Sequence, residues 1–287
     1  MRSKKSIIEG IMSMLVSIKF QSTLPMAGAI FIGLALATGS LKINPWLFLG
    51  LYTIFGIGVS GGAHAINAVS DYSIDKIEHP KRPLPEGMLS KKVLMIWSSL
   101  LFCIGLLISL TIKGTFIYAA IDTLFAISYS LPGLELGKKW YSTYLLLALG
   151  YTLLPILGAF SAVRQPDMFV VKVAVFFTMI ALLISPLKDI PDTRGDKKYG
   201  KTSLPVIIGE KNTVIICLTA AVSIAIGLTF ALGFFKLIKF WRFVALAVVL
   251  FVPFIAFALS NLKRKMNFQL MEAYALLCQI LFAWCML

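Results

Sequence analysis

The chain has 287 residues, of which 59% are hydrophobic and only 14% are charged, and its mean hydropathy is +0.88. A soluble domain carries about 25% charged residues, so this composition excludes an ordinary soluble protein. The formal net charge is +14, but the basic residues are divided among short segments with no recognisable nucleic-acid-binding module, so no nucleic-acid partner is expected.

Apolar runs of about 20 residues recur along the whole chain, and each is long enough to cross a bilayer. Because backbone groups must pair internally in lipid, and because the runs are continuous rather than alternating, we predict helical spans. The basic N-terminal stretch has no small-residue cleavage site and is predicted to be a lead-in helix, not a signal peptide. Nine transmembrane helices are predicted to follow, at approximately 22–38, 45–67, 92–111, 114–131, 142–162, 168–188, 213–235, 241–259 and 269–287.

A weak internal repeat is visible in the order of these spans. The second and the sixth span each end in an acidic cluster followed by a long polar loop, at 67–91 and 188–212. This pattern predicts an all-α membrane protein in which two four-helix units plus a ninth helix surround a central cavity. No low-complexity linker divides the chain, so residues 1–287 are predicted to form a single domain.

The distribution of Lys and Arg predicts the orientation of the chain in the membrane. If the N-terminus is placed inside, 20 of the 27 basic residues fall in inner segments. Cytoplasmic loops carry such an excess, so we expect the N-terminus and both long loops in the cytoplasm and the C-terminus outside.

The two acidic clusters are the main candidates for a functional site. The first places Asn67, Asp71 and Asp75 at positions i, i+4 and i+8. The second places Asp189, Asp192 and Asp196 at positions i, i+3 and i+7. Either spacing puts three side chains on one helical face, although prolines at 186 and 191 are expected to kink or end the sixth helix.

Like charges on one helical face repel each other unless a cation lies between them. Carboxylate and amide oxygens suit Mg²⁺, which proteins commonly hold with one or two carboxylates together with substrate phosphates. Two such faces meeting across a cavity could therefore grip a diphosphate from both sides. The competing interpretation, solvated acids at helix ends, explains one cluster better than two matching clusters on the same side of a membrane.

Both clusters resemble the signatures of a known family. The stretch 67–87, NAVSDYSIDKIEHPKRPLPEG, resembles the first signature of the UbiA superfamily of intramembrane prenyltransferases. The stretch 188–205, KDIPDTRGDKKYGKTSLP, resembles the second. The first signature commonly has an aspartate where this chain has Ala68, but its asparagine and two other aspartates are present.

The resemblance implies a transferase reaction. A prenyl diphosphate would bind through Mg²⁺ to both motifs, its C1–O bond would ionise, and a lipophilic acceptor would capture the allylic cation. The acceptor would be an aromatic quinone precursor or a glyceryl phosphate lipid, and the motifs do not separate these two; protein partners are not indicated.

The same resemblance, together with the position of each residue near the two motifs or near the ends of the spans, suggests the residues of the site. Asp71 and Asp192 are the catalytic candidates, and the metal ligands would be Asn67, Asp71, Asp75, Asp189, Asp192 and Asp196. The candidates for diphosphate binding are the nearby bases Arg82, Lys81, Arg194, Lys197 and Lys201. The candidates for the substrate pocket are His64, Tyr72, Tyr129, Ser130 and Tyr199.

Two further features of the spans allow two interpretations each. Four glycines crowd the second span and indicate either close helix packing or an approach to the substrate tail; they are Gly56, Gly58, Gly61 and Gly62. Asp122 is the only acid deep within a span, where it lines the substrate chamber or bonds a neighbouring helix.

Three other functions compete with the transferase. A secondary transporter with an acidic ion site is the main alternative, but transporters place such acids near the bilayer midplane, and these clusters lie at helix ends. A CDP-alcohol phosphotransferase needs Asp-Gly followed by Ala-Arg and further aspartates in one run, and this chain has no such run. A non-catalytic scaffold is indicated only by Ala68.

Overall fold

A computed structural model describes residues 4–131, 133–231, 276, 279–284 and 287. Within this part the chain is helical apart from its connecting turns and one isolated β-bridge. The helices are α1 Lys4–Ser17, α2 Leu24–Thr38, α3 Pro45–Ser70, α4 Tyr72–Glu78, α5 Lys91–Thr111, α6 Phe116–Ser130, α7 Trp140–Ser161, α8 Met168–Asp189, α9 Thr193–Lys198, α10 Leu204–Ile208 and α11 Glu210–Ala231.

Four of the described helices, α3, α5, α7 and α8, are long and apolar enough to cross a membrane. Helices α2 and α6 and most of α1 are apolar but shorter. The prediction of an all-helical membrane protein is therefore confirmed for the described part. The six predicted spans from 22–38 to 168–188 each match a helix, whereas the span at 241–259 and most of the span at 269–287 lie outside the described residues, so the count of nine stays a prediction.

The ends of the long helices follow ordinary capping chemistry. The Asn44 side chain accepts hydrogen bonds from the backbone N–H groups of Trp46 and Leu47, and Pro45 occupies the first turn of α3. Ser90 caps α5 and Asp167 caps α8 in the same way. These residues satisfy backbone donors that a helix start leaves unpaired.

Two clusters of buried apolar side chains hold the long helices together. The first joins α2, α7 and α8, with Ile32, Ile156 and Phe176 at most 2% exposed. The second joins α2, α3, α6 and α7 and includes Ile54 and Ala119. Because lipid tails are as apolar as these side chains, close packing rather than the hydrophobic effect holds such helices side by side.

The glycines of α3 serve this packing. A Cβ at Gly58 would lie 2.6 Å from the Cα of Gly105 in α5, and a Cβ at Gly62 would lie 2.7 Å from the Phe102 ring. Gly61 faces Ile18, and Gly56 faces the ring of Tyr52. The packing interpretation of these glycines therefore holds.

Both acidic clusters lie where a long helix is interrupted. Helix α3 ends at Ser70 and α4 begins at Tyr72, yet backbone hydrogen bonds of 2.8 Å from Asp71 to Asn67 and from Asp75 to Asp71 continue across the junction. In the second cluster, α8 tightens into a 3₁₀ turn at Ser185–Asp189 that contains Pro186. The predicted break near the prolines is confirmed.

Candidate active site

A cavity of about 330 Å³ lies between α3, α6, α7 and α8, at the end of the bundle that carries both acidic clusters. Five of the six predicted metal ligands line it, namely Asn67, Asp71, Asp75, Asp189 and Asp192. The sixth, Asp196, is fully buried behind them and is not part of the lining. The fold thus brings the two clusters, more than 100 residues apart in sequence, to one cavity.

Within the first cluster each polar group has a defined neighbour. Asn67 Nδ2 donates to Asp71 Oδ2 at 2.9 Å, and Ser130 of α6 donates to Asn67 Oδ1 at 3.4 Å. Arg82 lies 2.5 Å from Asp75 Oδ1, while Asp75 Oδ2 is buried and accepts no hydrogen bond among the described residues. Asp75 therefore keeps one carboxylate oxygen open for a further ligand.

Ala68 lies on the other side of this helix. It packs against an apolar cluster that contains Ala65, Leu84 and Leu94, and it does not line the cavity. The residue that departs from the family signature therefore removes no oxygen from the cavity wall.

Basic side chains and a tyrosine hold the second cluster. Lys188 lies 2.6 Å from Asp189 Oδ1, and the Tyr144 hydroxyl donates to Asp189 Oδ2 at 2.9 Å. Lys201 lies between two acids, 3.9 Å from Asp189 and 3.4 Å from Asp196. The two lysines balance part of the negative charge that the cluster concentrates at the cavity.

The segment after the first cluster reaches over to the second. His79 Nε2 lies 2.6 Å from Asp192 Oδ1. Although burial opposes it, the hydrogen bond from His79 holds the pKa of Asp192 below its ordinary value. The contact with His79 therefore favours the charged form of Asp192.

For two other acids outside the spans, burial outweighs the neighbouring charges and the net shift of the pKa is upward. Burial raises the pKa of Asp75 despite the nearby Arg82 guanidinium, and it raises the pKa of Asp196 to about 6 despite Lys201. At the same cavity, burial and the nearby Arg82 lower the pKa of Lys19 to about 8. A cation that bound between the clusters would favour the charged carboxylates, as any positive neighbour does.

The predicted diphosphate-binding bases divide into two groups. Arg82 and Lys201 line the cavity, together with Lys19 and Lys188. Lys81, Arg194 and Lys197 are exposed and do not line it. Two of the five predicted bases are thus next to the acids in this structure.

The predicted pocket residues divide in a similar way. His64 and Tyr129 line the cavity, and His64 Nε2 lies 3.2 Å from the Tyr151 hydroxyl of α7. Ser130 is buried against Asn67, behind the cavity wall. Tyr72 packs outside it under the ammonium groups of Lys76 and Lys91, and Tyr199 is 45% exposed.

The inner part of the cavity is mainly apolar. Its walls include Met26, Val59, Phe125, Leu146 and Leu147. Asp122 also lines it, so of its two interpretations the structure supports the chamber wall. Asp122 lies beside Gly150, which belongs to a π-helical stretch of α7 at Leu149–Leu153. A Cβ atom added to Gly150 would lie 2.6 Å from Asp122 Oδ1.

Four residues that the sequence interpretation left without a role lie at the site: Lys19, His79, Tyr144 and Lys188. Lys188 directly precedes the second cluster and His79 directly follows α4, so their positions in the chain were a usable signal. Lys19 lies between α1 and α2 with a left-handed backbone, φ +52°, and Tyr144 is a buried residue of α7. Tyr144 is not distinguishable in the sequence from an ordinary core tyrosine, whereas Lys19 stands near the start of the first span, where many members of the family that the motifs resemble carry an arginine.

The residues present fit a hard divalent metal ion. The cavity wall offers carboxylate and amide oxygens, which such ions prefer, and one oxygen of Asp75 is unpaired. Within the described residues, no three His, Cys, Asp or Glu side chains cluster closely enough to hold a metal by themselves. An ion at this site would therefore take part of its coordination from a bound ligand.

The fold and the site define a class: an integral, multi-pass membrane protein whose cavity has a mouth of acids and bases and an apolar interior. The UbiA prenyltransferase family model matches residues 26–284. The chain belongs to the UbiA prenyltransferase family, and it is an intramembrane prenyltransferase. The resemblance of its two aspartate motifs to that family is confirmed.

Relatives and solved structures agree with this assignment. A digeranylgeranylglyceryl phosphate synthase from Sulfolobus acidocaldarius is 31% identical over 202 residues, which cover 69% of this chain and 70% of that protein. A protein of the same name from Thermococcus gammatolerans is 31% identical over 189 residues, which cover 64% of this chain and 65% of that protein. The structure of a UbiA homolog from Archaeoglobus fulgidus bound to GPP and Mg²⁺ has a TM-score of 0.73 at 14% identity and covers 96% of this chain and 99% of that chain.

Proposed function

We propose that this prenyltransferase moves a prenyl group from its diphosphate to the hydroxyl group of a glyceryl phosphate lipid. The observation that carries the proposal is that both aspartate clusters and four bases surround one cavity mouth, while apolar side chains line its interior. A diphosphate suits the mouth and a prenyl chain suits the interior. The names of the relatives favour a glyceryl phosphate acceptor over an aromatic quinone precursor.

Mg²⁺ is the proposed cofactor, with Asn67, Asp71, Asp75, Asp189, Asp192 and Asp196 as its proposed ligand set. When bound, it would supply Lewis-acid assistance to departure of the diphosphate. Asp71 and Asp192 are the proposed catalytic carboxylates, one from each cluster, and both line the cavity. Asp196, which is buried behind the wall beside Lys201, stays a predicted ligand.

The bases at the mouth stabilise the charge that grows on the leaving diphosphate. Arg82, Lys188 and Lys201 lie next to the acids and can contact anionic oxygens directly. The apolar inner wall, with the ring of Tyr129, keeps water away from the allylic cation. A role in the substrate complex stays a prediction for the five residues that do not line the cavity, namely Lys81, Arg194, Lys197, Tyr72 and Tyr199.

The proposal extends to the whole chain. We infer that the chain is a single domain of nine spans. We place the N-terminus and the active-site loops in the cytoplasm, because the distribution of Lys and Arg favours that orientation. Labelling of a Lys81→Cys variant by a membrane-impermeant thiol reagent in intact cells checks the orientation. Labelling without permeabilisation would contradict it.

The acceptor is tested with purified protein, geranylgeranyl diphosphate and Mg²⁺. We expect a prenylated product with a geranylgeranylglyceryl phosphate acceptor and none with 4-hydroxybenzoate. A product with the aromatic acid alone would overturn the acceptor assignment while leaving the prenyltransferase activity in place. Asp167→Asn serves as the control variant, because Asp167 caps α8 at the opposite end of the bundle and an asparagine retains that cap.

A further inference from the structure

Glu78, the last residue of α4, contacts the second aspartate motif. Its Oε1 accepts a hydrogen bond of 2.8 Å from the backbone N–H of Gly195, in the first turn of α9. Glu78 does not line the cavity and forms no ion pair among the described residues. Its contact therefore joins the two motif segments without touching the substrate space.

The backbones of α4 and α9 approach each other closely at this point. A Cβ at Gly195 would lie 2.8 Å from Ile74 Cγ2 and 3.0 Å from Glu78 Cγ. Gly195 is buried, and so is Ile74. A glycine is therefore required at 195 for α4 to reach α9 in the observed geometry.

The two residues at this contact are each close to a proposed metal ligand. Glu78 follows Asp75 by three residues in α4, and Gly195 directly precedes Asp196 in α9. The adjacent His79 makes a second link, to Asp192. Where α4 meets α9, the distance between the two aspartate clusters is therefore fixed by the Glu78–Gly195 hydrogen bond and by the close packing of Gly195 against Ile74.

We propose that Glu78 is a positioning residue, which by its hydrogen bond to Gly195 holds the two aspartate motifs at the spacing that lets both engage one diphosphate. The inference rests on the proposed function, because it assumes that both motifs bind the same metal–diphosphate unit. Because the proposed role of that spacing is to bind the diphosphate, we expect binding of the acceptor to be unaffected by substitution of Glu78.

The test compares four proteins: wild type, Glu78→Ala, Glu78→Gln and Glu86→Ala. Glu86 is an exposed acid in the same loop and is the matched control. For Glu78→Ala we expect the Mg²⁺ concentration for half-maximal activity and the KM for geranylgeranyl diphosphate to rise about tenfold, in line with the loss of one hydrogen bond to a charged group. The acceptor KM should stay at the wild-type value, the thermal midpoint should fall by no more than the loss of one hydrogen bond implies, and Glu78→Gln, which keeps an acceptor oxygen, should regain most of the loss.

A second measurement reads the spacing itself. Spin labels at the exposed positions Ser73 in α4 and Lys198 in α9, in a variant without the native cysteines, report the distance between the two segments. Glu78→Ala should broaden that distance distribution in the absence of substrate, and Glu86→Ala should not.

Several results would overturn the inference. The inference is wrong if the Mg²⁺ requirement is unchanged in Glu78→Ala, or if Glu78→Gln raises that requirement and the diphosphate KM as much as Glu78→Ala does. It is also wrong if all kinetic parameters worsen in parallel with thermal stability, or if the distance distribution is unchanged. A wild-type protein that shows no Mg²⁺-dependent binding of geranylgeranyl diphosphate would instead overturn the proposed function. The two failures are therefore distinguishable.

Discussion

The aspartates of the two motifs differ in what their carboxylates contact. Asp71 accepts from a neutral amide, Asp75 pairs with Arg82, Asp189 with two lysines and a tyrosine, and Asp192 with His79. Paired charges of this kind are tolerated in a largely buried site, where an unpaired carboxylate costs several kcal/mol, on the order of 3–5. The same bases are available to bind an anionic substrate.

Tyr144 illustrates a residue whose importance only the structure reveals. Its hydroxyl donates to Asp189 and accepts a hydrogen bond of 2.9 Å from the backbone N–H of Leu204, and its side chain is 3% exposed. In Tyr144→Phe the Leu204 N–H loses this partner and Asp189 loses one of its three contacts. We expect the free energy of unfolding to fall by about 1–3 kcal/mol and the affinity for metal to weaken.

Thermal unfolding in detergent and a Mg²⁺ titration of activity measure these two effects. Tyr141→Phe is the control, since Tyr141 is 57% exposed in the same helix. Equal stability of the Tyr144 and Tyr141 variants would argue against a supporting role for the Tyr144 hydroxyl.

At the scale of elements, hydrophobicity and the prolines were sufficient to predict six spans and the break at the second motif. The spans follow from the length of each apolar run and the break follows from Pro186, whereas the junction at Asp71 was not predicted. The π-helical stretches in α3 and α7 were not predicted, because hydrophobicity and charge indicate the length of a span and not the details of its tertiary structure. For the same reason the sequence could not separate Lys201 from the exposed Lys197, since both lie beside the second motif.

The contact between α3 and α5 gives a prediction at this scale. A methyl group at Gly58 would come 2.6 Å from the Cα of Gly105, and a backbone atom cannot move aside as a side-chain end can. Gly58→Ala is expected to lower stability by about 1–3 kcal/mol, because it forces α3 away from α5. Gly10→Ala is the control: nothing lies within 4 Å of its added Cβ in α1, so it should leave stability equal or slightly higher.

The measurement is the thermal midpoint of both glycine variants in the same detergent. If Gly58→Ala unfolds at the wild-type temperature, the close approach of α3 and α5 is not needed for stability.

For the whole molecule, the position of the cavity relative to the bilayer explains how one site handles both a charged and an oily substrate. The acids and bases lie where the long helices end, and the inner wall lies between the membrane-crossing parts of α3, α7 and α8. A charged group deep in lipid is costly, so placing the diphosphate site at the helix ends leaves the buried volume to the prenyl chain. The bundle thereby separates the diphosphate from the apolar chamber in which the cation would form.

We propose that the two aspartate clusters act together on one metal-bound diphosphate. Equilibrium binding of geranylgeranyl diphosphate to purified protein, with Mg²⁺ and with EDTA, tests it in the wild type, in Asp71→Asn, in Asp192→Asn and in the control Asp167→Asn. We expect tight binding only with Mg²⁺. In either motif variant the affinity should fall by at least about a hundredfold, because removal of a charged contact costs about 3 kcal/mol, and in the control it should not fall. Binding that is equally tight in EDTA, or that survives in both motif variants, would contradict the account.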